Sequence, residues 1–423
     1  MKKYKYFIVL VCLSMWGPLY RSILDKLWVD TGGINLVGQW AQLQTLIDFI
    51  GAPIGSGIGI GVSIIVAQKK SSDHKVILLS GYCMSLAVIL PFLLVAIVYS
   101  QLICQWLGLD PTFNEEVVIS LIVGYLNIGN ILLCNFLIGS SQQVRAFYII
   151  CFTTVPNILL LKYSPFISTD ISTRLVLYCY ATTCLITSSW MIFLLYKTTW
   201  HNSNNFHKMI AYSQKLFKFI FVGFAIGVLS PLCLLMVRSF ISIQQDWAAS
   251  GVATGLWRAS DWIFAPATTM VFYHYLPILS LQSSRGRALE SIKEITIKIV
   301  PMSFIALLLL VILREPILNT LYGDSFIAPL EICIYFWLGD AFRILSSVFL
   351  MGLYVLKATK LITFWDLFSQ PLFSLLLFMG MASSLRLTGI AFASTYLIYA
   401  LLCIFGFLYI EKNRTTAISP SKA

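Results

Sequence analysis

The sequence predicts an all-α polytopic membrane protein, with about twelve transmembrane helices in two pseudo-symmetric six-helix halves around a central cleft. Three observations carry this. The 423 residues are 58% apolar and 11% charged, with a mean hydropathy of +0.84, whereas charge makes up about a quarter of an average soluble chain. The apolar residues fall in runs of about twenty, enough for a helix to cross a bilayer core of roughly 30 Å, and the shorter alternating segments of a membrane barrel are absent. Finally, the stretch Asp48-Phe49-Ile50-Gly51-Ala52-Pro53 recurs half a chain later as Asp261-Trp262-Ile263-Phe264-Ala265-Pro266. At the same offset Lys2, Lys5, Pro18 and Leu19 fall on Lys215, Lys218, Pro231 and Leu232, and Ile131, Leu132, Phe136 and Leu137 fall on Ile344, Leu345, Phe349 and Leu350. A register kept through separated segments indicates an internal repeat.

The first expected span, Tyr6 to Leu27, follows three lysines as a signal peptide would. It continues into Arg21, Asp25 and Lys26 without a small-residue cleavage site, so it is expected to be retained. The second, Ile34 to Ala67, and the eighth, Trp247 to Leu281, are longer than a perpendicular crossing requires. Each carries a proline, Pro53 or Pro266, that frees a backbone carbonyl and permits a bend. Gly55, Gly57, Gly59 and Gly61 lack the strand and lysine of a phosphate loop and read as sites of close helix packing. The remaining apolar runs are Val76 to Ser100, Val117 to Leu137, Phe147 to Leu161, Leu175 to Tyr196, Phe219 to Val237, Ile297 to Leu313, Ile332 to Leu356, Leu361 to Met381 and Gly389 to Ile410. This gives an N-terminal half at 1–196, a polar cytoplasmic connecting loop at 197–218 with His201 and His207, a C-terminal half at 219–410 and a cytoplasmic tail at 411–423.

Most of the 29 lysines and arginines fall on one side of these spans, which places both termini of the multi-pass chain in the cytoplasm. The net charge of +11 then reports topology and attraction to anionic lipid heads; no basic stretch carries the interleaved exposed aromatics of a nucleic-acid binder. No connection is long enough for a soluble catalytic domain, and the chain reads as no enzyme. The ten cysteines include no C-x-x-C pair, and the four histidines are scattered, so neither a disulfide frame nor a metal site is expected. His274, alone on the eighth span, reads as a packing residue.

Charges inside spans are costly and usually face a cavity or a partner. Arg21 and Asp25 stand four apart on the first helix, as an interfacial pair would, with Lys26 beside them. Arg258 and Asp261 are three apart on the eighth span, and Asp340 and Arg343 repeat that spacing in reverse on the tenth. Asp48 and Arg238 complete the set; Asp366, nearer a helix end, reads as a local partner of Lys360.

Several segments resemble a known family. Gly38 and Gln44, then Gly57-Ile58, Gly61-Val62 and Ala67-Gln68, resemble the Wzx-type polysaccharide flippases, within the multidrug/oligosaccharidyl-lipid/polysaccharide exporter superfamily. The run Leu338-Gly339-Asp340-Ala341-Phe342-Arg343 through Gly352-Leu353-Tyr354 to Lys357-Ala358, and Leu276-Pro277-Ile278-Leu279-Ser280, look like its enterobacterial-common-antigen branch. Around Trp257 to Asp261 the chain is about one turn shorter than that pattern. The resemblance implies a flippase carrying an undecaprenyl-diphosphate-linked oligosaccharide to the periplasmic leaflet by alternating access, in O-antigen or common-antigen (lipopolysaccharide-related) assembly. Its partners would be that glycan, membrane lipids, a polysaccharide polymerase and a chain-length regulator, with no cofactor beyond a coupling H⁺ or Na⁺.

The residues fit this on their own terms. Arg21, Lys26, Arg238, Arg258 and Arg343 would make a cationic cleft for a diphosphate, which arginine grips bidentately. Gln44, Trp257, Trp40, Trp262 and Tyr273 would meet sugars, and Asp25, Asp48, Asp261 and Asp340 would pair with the arginines or carry the coupling ion. The alternative is a cation-coupled multidrug exporter, whose cleft should be dominated by acids. A membrane polymerase or ligase would need a larger external loop than Gln101 to Glu116 or Arg314 to Glu331.

Overall fold

The computed structural model describes residues 2–68, 73–140, 142–163, 169–199, 203–275, 279, 288–323, 326, 328–356 and 358–418, and these are helical almost throughout. The side chains of Tyr273, His274, Lys360 and Asp366 lie outside the described residues, as do Leu276 to Ile278, Ser280 and Lys357 of the resemblance motifs.

Helix α1 (Lys2–Pro53) contains the first expected span and the beginning of the second, separated by a kink at Gly33, whose φ of +76° is one that L side chains rarely adopt. Past Pro53 the backbone widens into a π-helical turn, Ile54–Gly59, before α2 (Ile60–Gln68). There follow α3 (His74–Val98), α4 (Ser100–Trp106), α5 (Asn114–Gly139), α6 (Gln143–Lys162), α7 (Thr169–Thr199) and α8 (Ser203–Gln244). The second half continues with α9 (Trp247–Thr269), a π-helical turn at Met270–Tyr275, α10 (Ala288–Ile312), α11 (Arg314–Tyr322), α12 (Leu330–Val355), α13 (Thr359–Phe378) and α14 (Leu385–Ile418). Among the described residues, nine helices are long and apolar enough to cross a membrane. The two π turns fall just after Pro53 and Pro266, the prolines that the repeat equates, where a missing N–H has already loosened the hydrogen-bond ladder.

The polar stretch expected as a connecting loop at 197–218 is instead mostly helix, since α7 runs to Thr199 and α8 starts at Ser203. Tyr212, Leu216 and Ile220 are buried at successive four-residue steps, a helical stripe that average polarity conceals. Asp73 anchors the stretch, accepting from Lys208 Nζ and the Tyr212 hydroxyl, both at 2.9 Å. Burial first, and then that carboxylate, raise the Tyr212 phenol above its ordinary pKa.

Contacts divide the chain into two compact units, one made of Met1–Val37 with Phe240–Ala423 and the other of Gly38–Ser239. The repeat in the sequence and the units in space therefore differ by an exchange. The first helix of the N-terminal half joins the later unit, and the first helix of the C-terminal half, α8 up to Ser239, joins the other. The exchange is reciprocal, as an internal repeat requires.

In the Gly38–Ser239 unit the glycines act as spacers: a Cβ on Gly59 would lie 2.7 Å from the Asn135 amide, and one on Gly61 2.9 Å from the Phe219 ring. On the other unit, α10 presents Ile297, Phe304, Ile305, Leu308 and Ile312 outward, an apolar face suited to lipid. A Cβ on Gly139 would come within 2.6 Å of the Ser63 carbonyl, where backbone has no side chain to swing aside. Gly139→Ala is expected to destabilise the folded protein by about 1–3 kcal/mol, read as a lowered melting midpoint of the detergent-solubilised chain; an unchanged midpoint would refute the close approach.

Candidate functional site: an ion-paired cluster on α1, α9 and α12

Helix α9 is able to reach the middle of its unit because it is built from small residues. Asp246 caps it, accepting from the Ala249 N–H at 2.7 Å, and every residue from Ala249 to Ser260 is buried. Gly251 lies against the Ile34 carbonyl and Gly255 against the Phe326 ring, so neither position has room for a Cβ. The polar residues at the end of this run, Arg258, Ser260 and Asp261, thus enter packed surroundings where they need partners.

Those partners come from other helices. Arg258 pairs with Asp25 of α1, and both side chains are essentially out of reach of solvent, at 7% and 0% exposure. Asp261 lies 4.0 Å from Arg21, in a more open setting. The same-helix reading of Arg21 with Asp25, and of Arg258 with Asp261, is corrected here: the pairs cross between α1 and α9. An i, i+3 or i, i+4 pair on a single surface is worth only a few tenths of a kcal/mol, whereas a buried carboxylate left facing apolar side chains is far more costly. Asp25, expected near an interface, is fully buried.

Asp340 and Arg343 on α12 do pair within their helix, at 2.6 Å. Asp340 is also fully buried, and it accepts from the Ser260 hydroxyl of α9. The Arg343 guanidinium stands 3.9 Å from the centre of the Phe264 ring and 5.3 Å from that of Tyr396, in reach of cation–π attraction. Tyr396 is held in turn by the Gln370 amide, which donates to its hydroxyl at 2.8 Å. Lys26, exposed, donates to the Thr320 carbonyl at 2.8 Å, the Trp262 indole donates to the Ser22 hydroxyl at 3.0 Å, and the buried Tyr322 hydroxyl donates to the Gly255 carbonyl at 3.0 Å.

Of the residues singled out in the sequence, Arg21, Asp25, Lys26, Trp257, Arg258, Asp261, Asp340 and Arg343 belong to one compact unit. Gln44, Asp48 and Arg238 belong to the other. There Arg238 is buried and donates to the Thr45 hydroxyl and, at 3.2 Å, to the Ala41 carbonyl, which ties α8 to α1. Gln44 is half-buried and Asp48 exposed on α1. The Trp257 ring, expected to meet sugars, is enclosed by Phe336, Phe373 and Phe392, with centroids 5.5 to 6.1 Å away. Its indole N–H finds no acceptor among the described residues, and Trp40 is likewise buried. Ser22, Ser260, Phe264, Thr320, Tyr322 and Tyr396 join the cluster without having been singled out. Ser260 had a faint signal, as a hydroxyl between two charges on one helix, but Tyr396 comes from the last helix and no spacing points to it.

No protein-family model matches the sequence, and no curated protein matches it. Solved structures do match the fold. An inward-facing conformation of a multidrug resistance MATE family transporter of the MOP superfamily superposes with a TM-score of 0.74 at 13% identity, covering 99% of this chain and 100% of that one. A MATE transporter in complex with MaL6 gives 0.65 at 12% identity over 98% and 97%. A MOP superfamily transporter from Pyrococcus furiosus, described as having a binding pocket of reverse polarity that suggests a different function, gives 0.63 at 13% over 98% and 95%. The chain thus has the MATE-like fold of twelve transmembrane helices in two halves, and is a multi-pass membrane protein.

Asp25→Asn strands the Arg258 guanidinium in a buried site and is expected to cost about 3–5 kcal/mol, while Asp25→Asn with Arg258→Met recovers much of that loss. A double-mutant cycle on melting midpoints measures the coupling, and additive losses would mean that the two side chains do not interact.

Proposed function

We propose that this chain is a membrane transporter working by alternating access, and that its substrate is an amphipathic lipid with an anionic head, of the undecaprenyl-diphosphate-linked oligosaccharide class. The observation that carries this is the charge balance of the cluster. Arg21, Lys26, Arg258 and Arg343 stand among Asp25, Asp261 and Asp340, and each of these carboxylates already has an arginine against it. Lys26 adds a cation whose hydrogen bond goes to a neutral carbonyl. A site of this balance suits a diphosphate, and Arg343, held against two rings with its carboxylate, is poised to exchange Asp340 for a phosphate oxygen. The assignment to O-antigen or common-antigen assembly, the polymerase and chain-length partners, the inner-membrane address and the cytoplasmic termini rest on the sequence alone. In this reading Gln44, half-buried on α1, meets a sugar, Trp257 is packing rather than lining because its ring is enclosed, and Asp48 carries a coupling H⁺ or Na⁺.

A second reading is a cation-coupled multidrug exporter. The comparisons favour it over the flippase, since the matching folds include multidrug resistance MATE family transporters in an inward-facing conformation and in an outward-facing one, the latter with a TM-score of 0.61 at 13% identity. It would need a carboxylate released from its arginine to attract a cationic drug, and Asp261, at 4.0 Å from Arg21, is the most loosely held.

Expression in a flippase-deficient bacterium distinguishes the two. The parent chain is expected to restore complete surface glycan, and Arg343→Ala to lose most of it at equal protein abundance, since removing one charged grip costs about tenfold or more in transport. If the parent restores no undecaprenyl-linked glycan and instead confers resistance to cationic dyes that Asp261→Asn abolishes, the exporter reading replaces the flippase.

A further inference from the structure

Beside the charged cluster, and within the same unit, runs an apolar groove of about 630 Å³. Its walls include Ala259, Trp262 and Ile263 of α9, Leu310 of α10, and Ile317 and Thr320 of α11. The volume lies within the roughly 300–1,000 Å³ of small-molecule sites, yet the lining offers almost no polar group to orient a sugar or a drug. The cluster and the groove share two residues. Lys26 donates to the carbonyl of the wall residue Thr320 at 2.8 Å, and the wall residue Trp262 donates to Ser22, which neighbours Arg21. Lys26 and Arg21 are both exposed there, Lys26 on a neutral acceptor and Arg21 4.0 Å from Asp261.

We propose that this groove holds the hydrocarbon chain of a phosphate-headed membrane lipid whose head is bound by Lys26. The argument is one of selection. In a bilayer an apolar surface gains little by exchanging one lipid chain for another, so an apolar groove alone would not choose its occupant. A lysine at its edge, whose hydrogen bond among the described residues goes to a neutral carbonyl, favours an anionic head over a zwitterionic one. The chain then fills the cleft between α9 and α11 while the phosphate replaces Thr320 as the partner of the ammonium. The site shares Lys26 with the charged cluster, but its groove and its lipid do not depend on which substrate that cluster carries.

Trp262 supplies the reporter. The full-length protein is placed in phosphatidylcholine vesicles containing the same fraction of either phosphatidylglycerol or phosphatidylcholine with brominated chains, and the Trp262 share of fluorescence is isolated by comparison with Trp262→Phe. Occupancy is expected to favour brominated phosphatidylglycerol about fivefold, the size of one lysine charge acting on an anionic head. Lys26→Gln should abolish the preference, Lys26→Arg should keep it, and Ile317→Phe, which fills the groove, should lower quenching by both lipids, with each variant matched to the parent in melting midpoint. Equal quenching by the two lipids in the parent, or a preference that survives Lys26→Gln, overturns the head-group assignment. Quenching unaffected by Ile317→Phe overturns the groove.

Discussion

The burial of Asp25 against Arg258 is the constraint on which the larger unit depends. Taking a carboxylate and a guanidinium out of water is costly, and hydrocarbon offers neither of them a substitute. Once both charges sit on helices that pack together, each fixes where the other can be. The small residues of α9 let α1 come close enough for the pair to form, and Ser260 and Asp340 bring α12 to the same place. Packing and charge therefore act in one direction: the glycines create the proximity, and the ion pairs make any other neighbour unfavourable.

This explains why the first helix is found with the later part of the chain. Arg21, Asp25 and Lys26 are three charges on an otherwise apolar span, and their partners, Asp261, Arg258 and the Thr320 carbonyl, all come from residues after 246. The other unit has its own version of the arrangement. There Arg238 reaches Thr45 and the Ala41 carbonyl, and Gln42 bridges to the Leu235 carbonyl and the Ser239 hydroxyl, both at 3.0 Å. One exchange is secured by ion pairs and the other by a buried arginine with neutral acceptors, so repeat-related helices use different chemistry for the same task.

Much of this was legible in the sequence. Composition and run length give the helical membrane class, and the duplicated Asp-x-Ile-x-Ala-Pro segment marks both places where the backbone widens into a π turn. The intramembrane charges put forward as site residues do gather, seven of the nine in one unit. What the sequence does not carry is partner choice. Spacing can show that Arg258 and Asp261 share a helix face, but whether they pair depends on what the neighbouring helix offers, and that is a fact of packing between residues 233 positions apart. For the same reason the aromatic enclosure of Trp257 was hidden: its rings come from α12, α13 and α14. The amphipathic start of α8 was missed differently, because a buried stripe of Tyr212, Leu216 and Ile220 is diluted by lysines when hydropathy is averaged.

The sequence separation of Asp25 and Arg258 also sets an order of events during synthesis. The first helix leaves the ribosome 233 residues ahead of the arginine that will neutralise its carboxylate; at roughly 5–20 residues per second, that is a wait of tens of seconds. Throughout that interval the carboxylate lacks Arg258, and the guanidinium within reach is that of Arg21, four residues earlier on the same helix. Its helix must stay sheltered by the insertion machinery, or lean on that neighbour, until α9 arrives. The Gly38–Ser239 unit, by contrast, has all its residues in place once α8 emerges. The unit that begins the chain is thus the last to be completed, and the helix made first is among the last to be locked.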